Sequence, residues 1–166
     1  PKAFVSIHHN GGLDAPALGH IGSEIYHQVA DAEARRLGGL VYESLERELG
    51  ALGVAWTRSS RAGVRARTNS EGTDFYGVLR RSAGVPAVLI EGAYLSSDSE
   101  AALLATDRVR DAEARAVRQV VVDRRRGDEV DDVRAATAGA APNIGRGRTG
   151  CGLGIDAFAS PIAAHA

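Results

Sequence analysis

Two apolar runs that end on chemically able side chains constrain this chain more than anything else in it. Phe4-Val5-Ser6-Ile7-His8 gives way to His9-Asn10-Gly11-Gly12, and Pro86-Ala87-Val88-Leu89-Ile90-Glu91 gives way to Gly92. Each run is short and rich in β-branched residues, the pattern of a buried strand. Pro86 suits a strand's first residue, where its missing N–H does little harm. Both runs stop on a residue that can bind a metal or move a proton, and glycine follows. In open α/β sheets, ligands bind beyond the carboxyl ends of parallel strands. If the two strands are parallel neighbours, His8 and Glu91 share one edge of the sheet.

The rest of the chain alternates strand and helix signals. Ser23–His27 reads as a second strand. From Asp31 to about Leu49 the period becomes helical, with Leu37, Leu40, Val41, Leu45, Leu49 and Leu52 on one face. Asp31 suits the N-cap, and Gly50 or Gly53 the stop. Residues 57–73 are polar and read as a loop carrying Arg58, Arg61, Arg65 and Arg67. Phe75–Arg80 is the third strand expected. Ser97-x-x-Glu100 has the spacing of a capping box opening a short helix. A longer helix follows from Asp107, burying Val109, Ala112, Ala116, Val117, Val120 and Val121 and ending on Arg124, Arg125 and Arg126, where cations favour the helix dipole. Beyond Gly127 no periodicity is sustained. The expectation is an α/β domain over residues 1–126 and a linker or disordered tail over 127–166.

Composition removes several classes of function. Twenty basic and 21 acidic residues leave a net charge of −1, which gives no footprint for nucleic acid. No apolar run approaches the roughly 20 residues of a membrane helix, so no membrane insertion is expected. Cys151 is the single cysteine and has no internal disulfide partner. Methionine is absent even from position 1, which leads us to expect a piece of a longer protein. Gly145-Arg146-Gly147-Arg148-Thr149-Gly150 matches a dinucleotide fingerprint in letters only, because no strand precedes it and no helix follows.

His8 is therefore the candidate metal ligand, since imidazole at a strand end is a common zinc donor. His9 points to the other face if the strand continues. His20 or His27 could supply a second ligand, and spacing does not choose between them. Glu91 is the candidate acid/base: ending an apolar strand desolvates its carboxyl and lifts the pKa toward a range useful for proton transfer.

Four blocks now occur in order: Ser6-Ile7-His8-His9-Asn10, Gly22-Ser23-Glu24-Ile25-Tyr26, Val78-Leu79-Arg80, and Pro86-Ala87-Val88-Leu89-Ile90-Glu91-Gly92-Ala93-Tyr94-Leu95-Ser96. Over about residues 3–122 the chain closely resembles the zinc-dependent N-acetylmuramoyl-L-alanine amidases of the amidase-3 type, which cut peptidoglycan. The resemblance implies a twisted, mostly parallel sheet flanked by helices. It implies that His8 is one zinc ligand and Glu91 the catalytic acid/base. Asn10 and Arg80, in the same blocks, are substrate-binding candidates. The family's other two ligands, a histidine in an Asp-Pro-Gly-His-Gly-like segment and a glutamate after it, precede the Ser-Ile-His block. This chain contains neither, so the family's N-terminal strands and helices are expected to be missing and these residues alone to be inactive. Ser97 stands where the family commonly has Asn.

The cofactor implied is Zn2+, the partner peptidoglycan, the location extracytoplasmic and the state monomeric. Two other readings stay open: an amidase-like module that binds wall polymer without cutting it, and a regulatory α/β domain using the arginines of residues 58–67 for anionic partners.

Overall fold

A computed structural model describes residues 2–12, 22–54 and 62–137. Strand β1 (Phe4–Asn10) is followed by β2 (Glu24–His27), helix α1 (Ala32–Gly50), β3 (Gly63–Arg65), α2 (Gly77–Arg80), β4 (Ala87–Tyr94), α3 (Asp98–Leu104) and α4 (Asp107–Thr137). The sheet order is β1-β4-β2-β3. β1 runs parallel to β4 and β2 parallel to β3, while β2 and β4 are antiparallel. The result is the expected open, mostly parallel sheet flanked by helices.

Alternation along β4 divides the molecule into two layers of packing. Val88 and Ile90 join Ile25, Leu37, Val41, Leu45, Ala112 and Ala116 in a core built by α1 and α4. Ala87 and Leu89 face the other way and pack with Tyr26 and Leu79, flanked by Phe4, Tyr76 and Val78. The two long helices thus lie on one face of the sheet. The opposite face carries the single-turn α2.

Helix α1 forms where the apolar period and its cap require it. Asp31 is the N-cap, its carboxylate accepting from the Ala34 N–H at 2.9 Å. Leu37, Val41 and Leu45 are fully buried one turn apart, whereas Leu40 is 39% exposed and lies off the buried stripe. Gly38 sits mid-helix at a cost of about 1 kcal/mol relative to alanine. A Cβ there would lie 3.1 Å from Val64 Cγ1, so the glycine lets α1 approach the sheet closely.

Several expectations need correction. The third strand is Gly63–Arg65, inside the segment read as a loop; its ladder with β2, rather than its three-residue composition, makes it a strand. Phe75–Arg80 is not a strand: Tyr76 is the N-cap of α2, and the apolar pair Val78-Leu79 serves a helical turn that buries Leu79. Ser97 is the N-cap of α3 but makes no capping bond. Glu100 turns inward instead and accepts from the Tyr94 N–H at 2.7 Å. Helix α4 continues past Arg124–Arg126 to Thr137, since a polar run of Asp, Glu and Arg sustains a helix across one glycine. His20, Arg58, Arg61 and Cys151 lie outside the described residues.

Candidate active site

The parallel register sets His8 directly beside Glu91. Because the strands are parallel and in register, both side chains leave the same face at the carboxyl edge of the sheet. β2, running antiparallel, begins at this edge, and its first residue Glu24 pairs with Glu91 on the other side. His8, Glu91 and Glu24 therefore form a row across β1, β4 and β2.

The three groups have different surroundings. His8 is exposed. Glu91 is 9% exposed, and its Oε2 is buried with no hydrogen-bond partner. Burial pushes its carboxyl up to about 7, helped by the charge of Glu24 and opposed by His9. Glu24 is also buried but fully partnered. Its Oε1 pairs with Arg65 Nη1 at 2.9 Å. Its Oε2 accepts from the hydroxyls of Tyr94 at 3.0 Å and Tyr26 at 3.2 Å, and from Asn10 Nδ2 at 3.5 Å. Burial, together with the Glu24 carboxylate, raises both tyrosine hydroxyls well above their ordinary range. They remain donors.

Beneath the row, on the helical face, lies a second ion pair. His9 Nε2 meets Glu113 Oε2 of α4 at 3.1 Å. Burial opposes the charge on His9, but the hydrogen bond and charge of Glu113 outweigh it and raise its pKa. Gly92 makes room for this pair: a Cβ there would fall 2.1 Å from Glu113 Oε1 and 3.5 Å from His9 Nε2.

The structure thus brings His8 and Glu91 together. Asn10 reaches the same row through Glu24, and its Oδ1 accepts from the Gly11 N–H at 2.8 Å, closing the turn after β1. Arg80 lies on α2, where Nη1 donates to the carbonyl oxygens of Asp74 at 2.5 Å and Phe75 at 2.6 Å. His27 is not brought to His8. It pairs in register with Val88, lower on the sheet, and its Nδ1 contacts the Gln28 carbonyl at 2.7 Å. Glu24 and Tyr94 were assigned no role from sequence, and Arg65, read there as a loop arginine for anionic partners, instead pairs with Glu24. The available signal was Glu24 and Tyr26 two apart on one short strand.

A family profile for N-acetylmuramoyl-L-alanine amidase, amidase-3, matches residues 1–123. The chain belongs to the amidase-3 family. Solved structures agree in fold with this amidase-3 domain. Cwp6 from Clostridium difficile is 25% identical with a TM-score of 0.59, over 74% of this chain and 18% of that one. The CwlD amidase from Clostridioides difficile, solved in complex with the GerS lipoprotein, is 23% identical with a TM-score of 0.58, over 74% of this chain and 53% of that one. The amidase AmiC2 of Nostoc punctiforme is 22% identical with a TM-score of 0.55, over 75% and 58% respectively. The chain therefore spans at most a little over half of these relatives. A comparison with curated proteins gave no match.

An imidazole beside a carboxylate suits zinc in donor type. Among the described residues, however, no group of three His, Cys, Asp or Glu side chains could hold a metal. His8 is an exposed imidazole of the donor type zinc takes, and the described residues alone supply no complete donor set.

Proposed function

We propose that this chain carries the acid/base half of a peptidoglycan amidase that hydrolyses the amide between the muramic acid lactyl group and L-alanine. One observation supports the reading above the others: His8 and Glu91 stand in register at the carboxyl edge, and the Glu91 carboxyl is buried, unpartnered on one oxygen and poised near neutrality. A base is most effective when its pKa lies near the working pH. Glu91 would take the proton of the attacking water and return it to the leaving amine of L-alanine. The Glu24 carboxylate, held by Arg65 and two tyrosines, would keep the neighbouring Glu91 basic through its charge.

His8 is the ligand this chain offers to zinc, with the remaining donors outside the described residues. Zinc, when bound, supplies carbonyl polarisation and an acidified water. The open face bearing the row suits a polymer, and action on peptidoglycan places the protein outside the cytoplasm. No helix among the described residues is long and apolar enough to cross a membrane.

The test is release of new L-alanine amino termini from peptidoglycan by a zinc-loaded protein in which this chain is joined to a segment that supplies the remaining donors. A rate falling by about 10³ or more in Glu91→Gln supports the reading, general acid/base groups contributing about 10²–10⁴. An unchanged rate in that variant sinks it. The incomplete donor set favours one second reading, a module that binds wall polymer without cutting it. Sedimentation with peptidoglycan, without hydrolysis even when the remaining donors are supplied, would favour that reading.

A further inference from the structure

A chain of aromatic contacts leads away from Glu24, the register partner of Glu91; it starts at the buried Tyr26 and surfaces at Phe75. Tyr94 and Tyr26 both donate to Glu24. The Tyr26 ring lies 4.6 Å from Tyr76, and Tyr76 meets Phe75 edge to face at 5.2 Å. The row ends on Arg67, whose Cζ lies 3.7 Å from the centre of the Phe75 ring. Phe75 is 41% exposed and Arg67 is exposed. Among the described residues the Arg67 guanidinium makes no hydrogen bond or ion pair, and the Phe75 ring is its one contact of this kind.

This exposed pair is held rigidly from below. Arg80 Nη1 clamps the carbonyls of Asp74 and Phe75. The Asp74 carboxylate accepts from the Val29 N–H at 2.7 Å, and the Phe75 N–H donates to the Arg67 carbonyl at 2.8 Å. Asn69 Oδ1 closes the intervening loop by accepting from the N–H groups of Glu71 and Thr73 and from the Thr73 hydroxyl. An exposed ring gains nothing in stability from so many backbone ties, but a binding site gains pre-organisation, which lowers the entropy cost of association. A guanidinium stacked on a ring keeps its N–H edge free, and that edge matches a carboxylate in two parallel hydrogen bonds.

We propose that Arg67, oriented by Phe75 and backed by Arg80, is a distal subsite that receives a carboxylate of the substrate's peptide arm. The identity of that arm rests on the amidase reading. The steps from Tyr26 to Arg67 measure 3.7–5.2 Å each, within the reach of a few extended residues at about 3.3–3.6 Å apiece. Arg67 is thus within a peptide's reach of the Glu24–Glu91 pair. The apolar part of the arm lies over the exposed Phe75 ring and its carboxylate meets Arg67.

Calorimetric titration of the full chain carrying Glu91→Gln tests this without turnover. The probe is a soluble N-acetylmuramoyl peptide with a free carboxyl terminus, compared with its carboxamide. The expected result is at least about tenfold weaker binding of the carboxylate probe on adding Arg67→Ala, with the carboxamide bound weakly and alike by both proteins. Phe75→Leu, which removes the ring but not the charge, should weaken carboxylate binding by a smaller factor. Equal affinity for the two probes, an unchanged affinity in Arg67→Ala, or no binding of the carboxylate probe overturns the subsite. Cleavage of the same probe by the unsubstituted chain, zinc-loaded and joined to a segment that supplies the remaining donors, reports on the amidase reading separately.

Discussion

Glu24 and Glu91 are register partners on antiparallel strands, two carboxylates side by side with opposite surroundings. Arg65, Tyr26, Tyr94 and Asn10 all donate to Glu24, whereas one oxygen of Glu91 has no partner at all. Environments that push two neighbouring carboxyl groups apart divide their chemistry, one remaining charged while the other exchanges a proton. The division depends on the topology: β2 must run against β4 for its first residue to pair with Glu91 in the carboxyl half of β4.

Neutralising Glu24 should therefore make Glu91 more acidic. In Glu24→Gln the repulsion that helps hold the Glu91 carboxyl near 7 disappears, and its pKa should fall while burial still keeps it above the ordinary 4.5. Carboxyl-carbon NMR titration of the metal-free chain reads this directly. An unchanged or higher Glu91 pKa in the variant would show that the two groups are not electrostatically coupled.

Glu91 should also cost stability in a pH window set by its own shift. Its folded-state pKa is raised, from 4.5 to about 7, so the folded state binds the proton more tightly than the unfolded one. The stabilisation is complete below about pH 4.5, declines as pH rises, and is lost above about pH 7. At about 1.36 kcal/mol per unit the whole effect is on the order of 3 kcal/mol. Glu91→Gln should be more stable than the parent at pH 8 by up to that amount, with the gap shrinking toward pH 4. Urea denaturation at the two pH values measures it. A gap independent of pH would mean the raised pKa is not a property of the folded chain.

How far the site could be read from sequence follows from which residues are local to it. The pairing of His8 with Glu91 was legible only on the condition that their two apolar runs were parallel neighbours, which they are, although β1 runs on to Asn10 and β4 to Tyr94, past the ends read from sequence. Helix α1 was legible from Asp31 and the Leu37, Val41, Leu45 period. Glu24 escaped because its role depends on the antiparallel pairing of a four-residue strand. Glu113 escaped because its partner His9 lies 104 residues away in sequence. Ser97 and Glu100 misled for the converse reason: their local spacing was right, but the Tyr94 N–H outcompeted the cap for the Glu100 carboxylate.

Gly92 should tolerate no side chain while Glu113 is present. A methyl group would overlap Glu113 Oε1 and force the His9–Glu113 pair apart. Overpacking of this kind costs about 1–3 kcal/mol, and parting the part-buried His9–Glu113 pair adds to it. Glu113→Ala alone should also destabilise, by leaving His9 without its partner. The double variant should lose less than the sum of the singles, because the clash and the broken pair share one cause. Thermal unfolding of the four proteins decides the matter, and strict additivity would rule out the overlap.

Zinc binding should separate His8 from the other histidines. His8 faces solvent beside Glu91, whereas His9 is tied to Glu113 and His27 to the Gln28 carbonyl. Among the described residues no group of three donors exists, and since structural and catalytic sites use at least three protein ligands, these residues hold zinc weakly. The chain should bind zinc no tighter than micromolar on the usual scale of affinities, with His8→Ala abolishing binding and His27→Ala leaving it intact. Competition with a chromogenic chelator gives both affinity and stoichiometry. Tight one-to-one binding that survives His8→Ala would place the metal elsewhere in the chain, and Glu91 would then have to act without a metal ligand beside it.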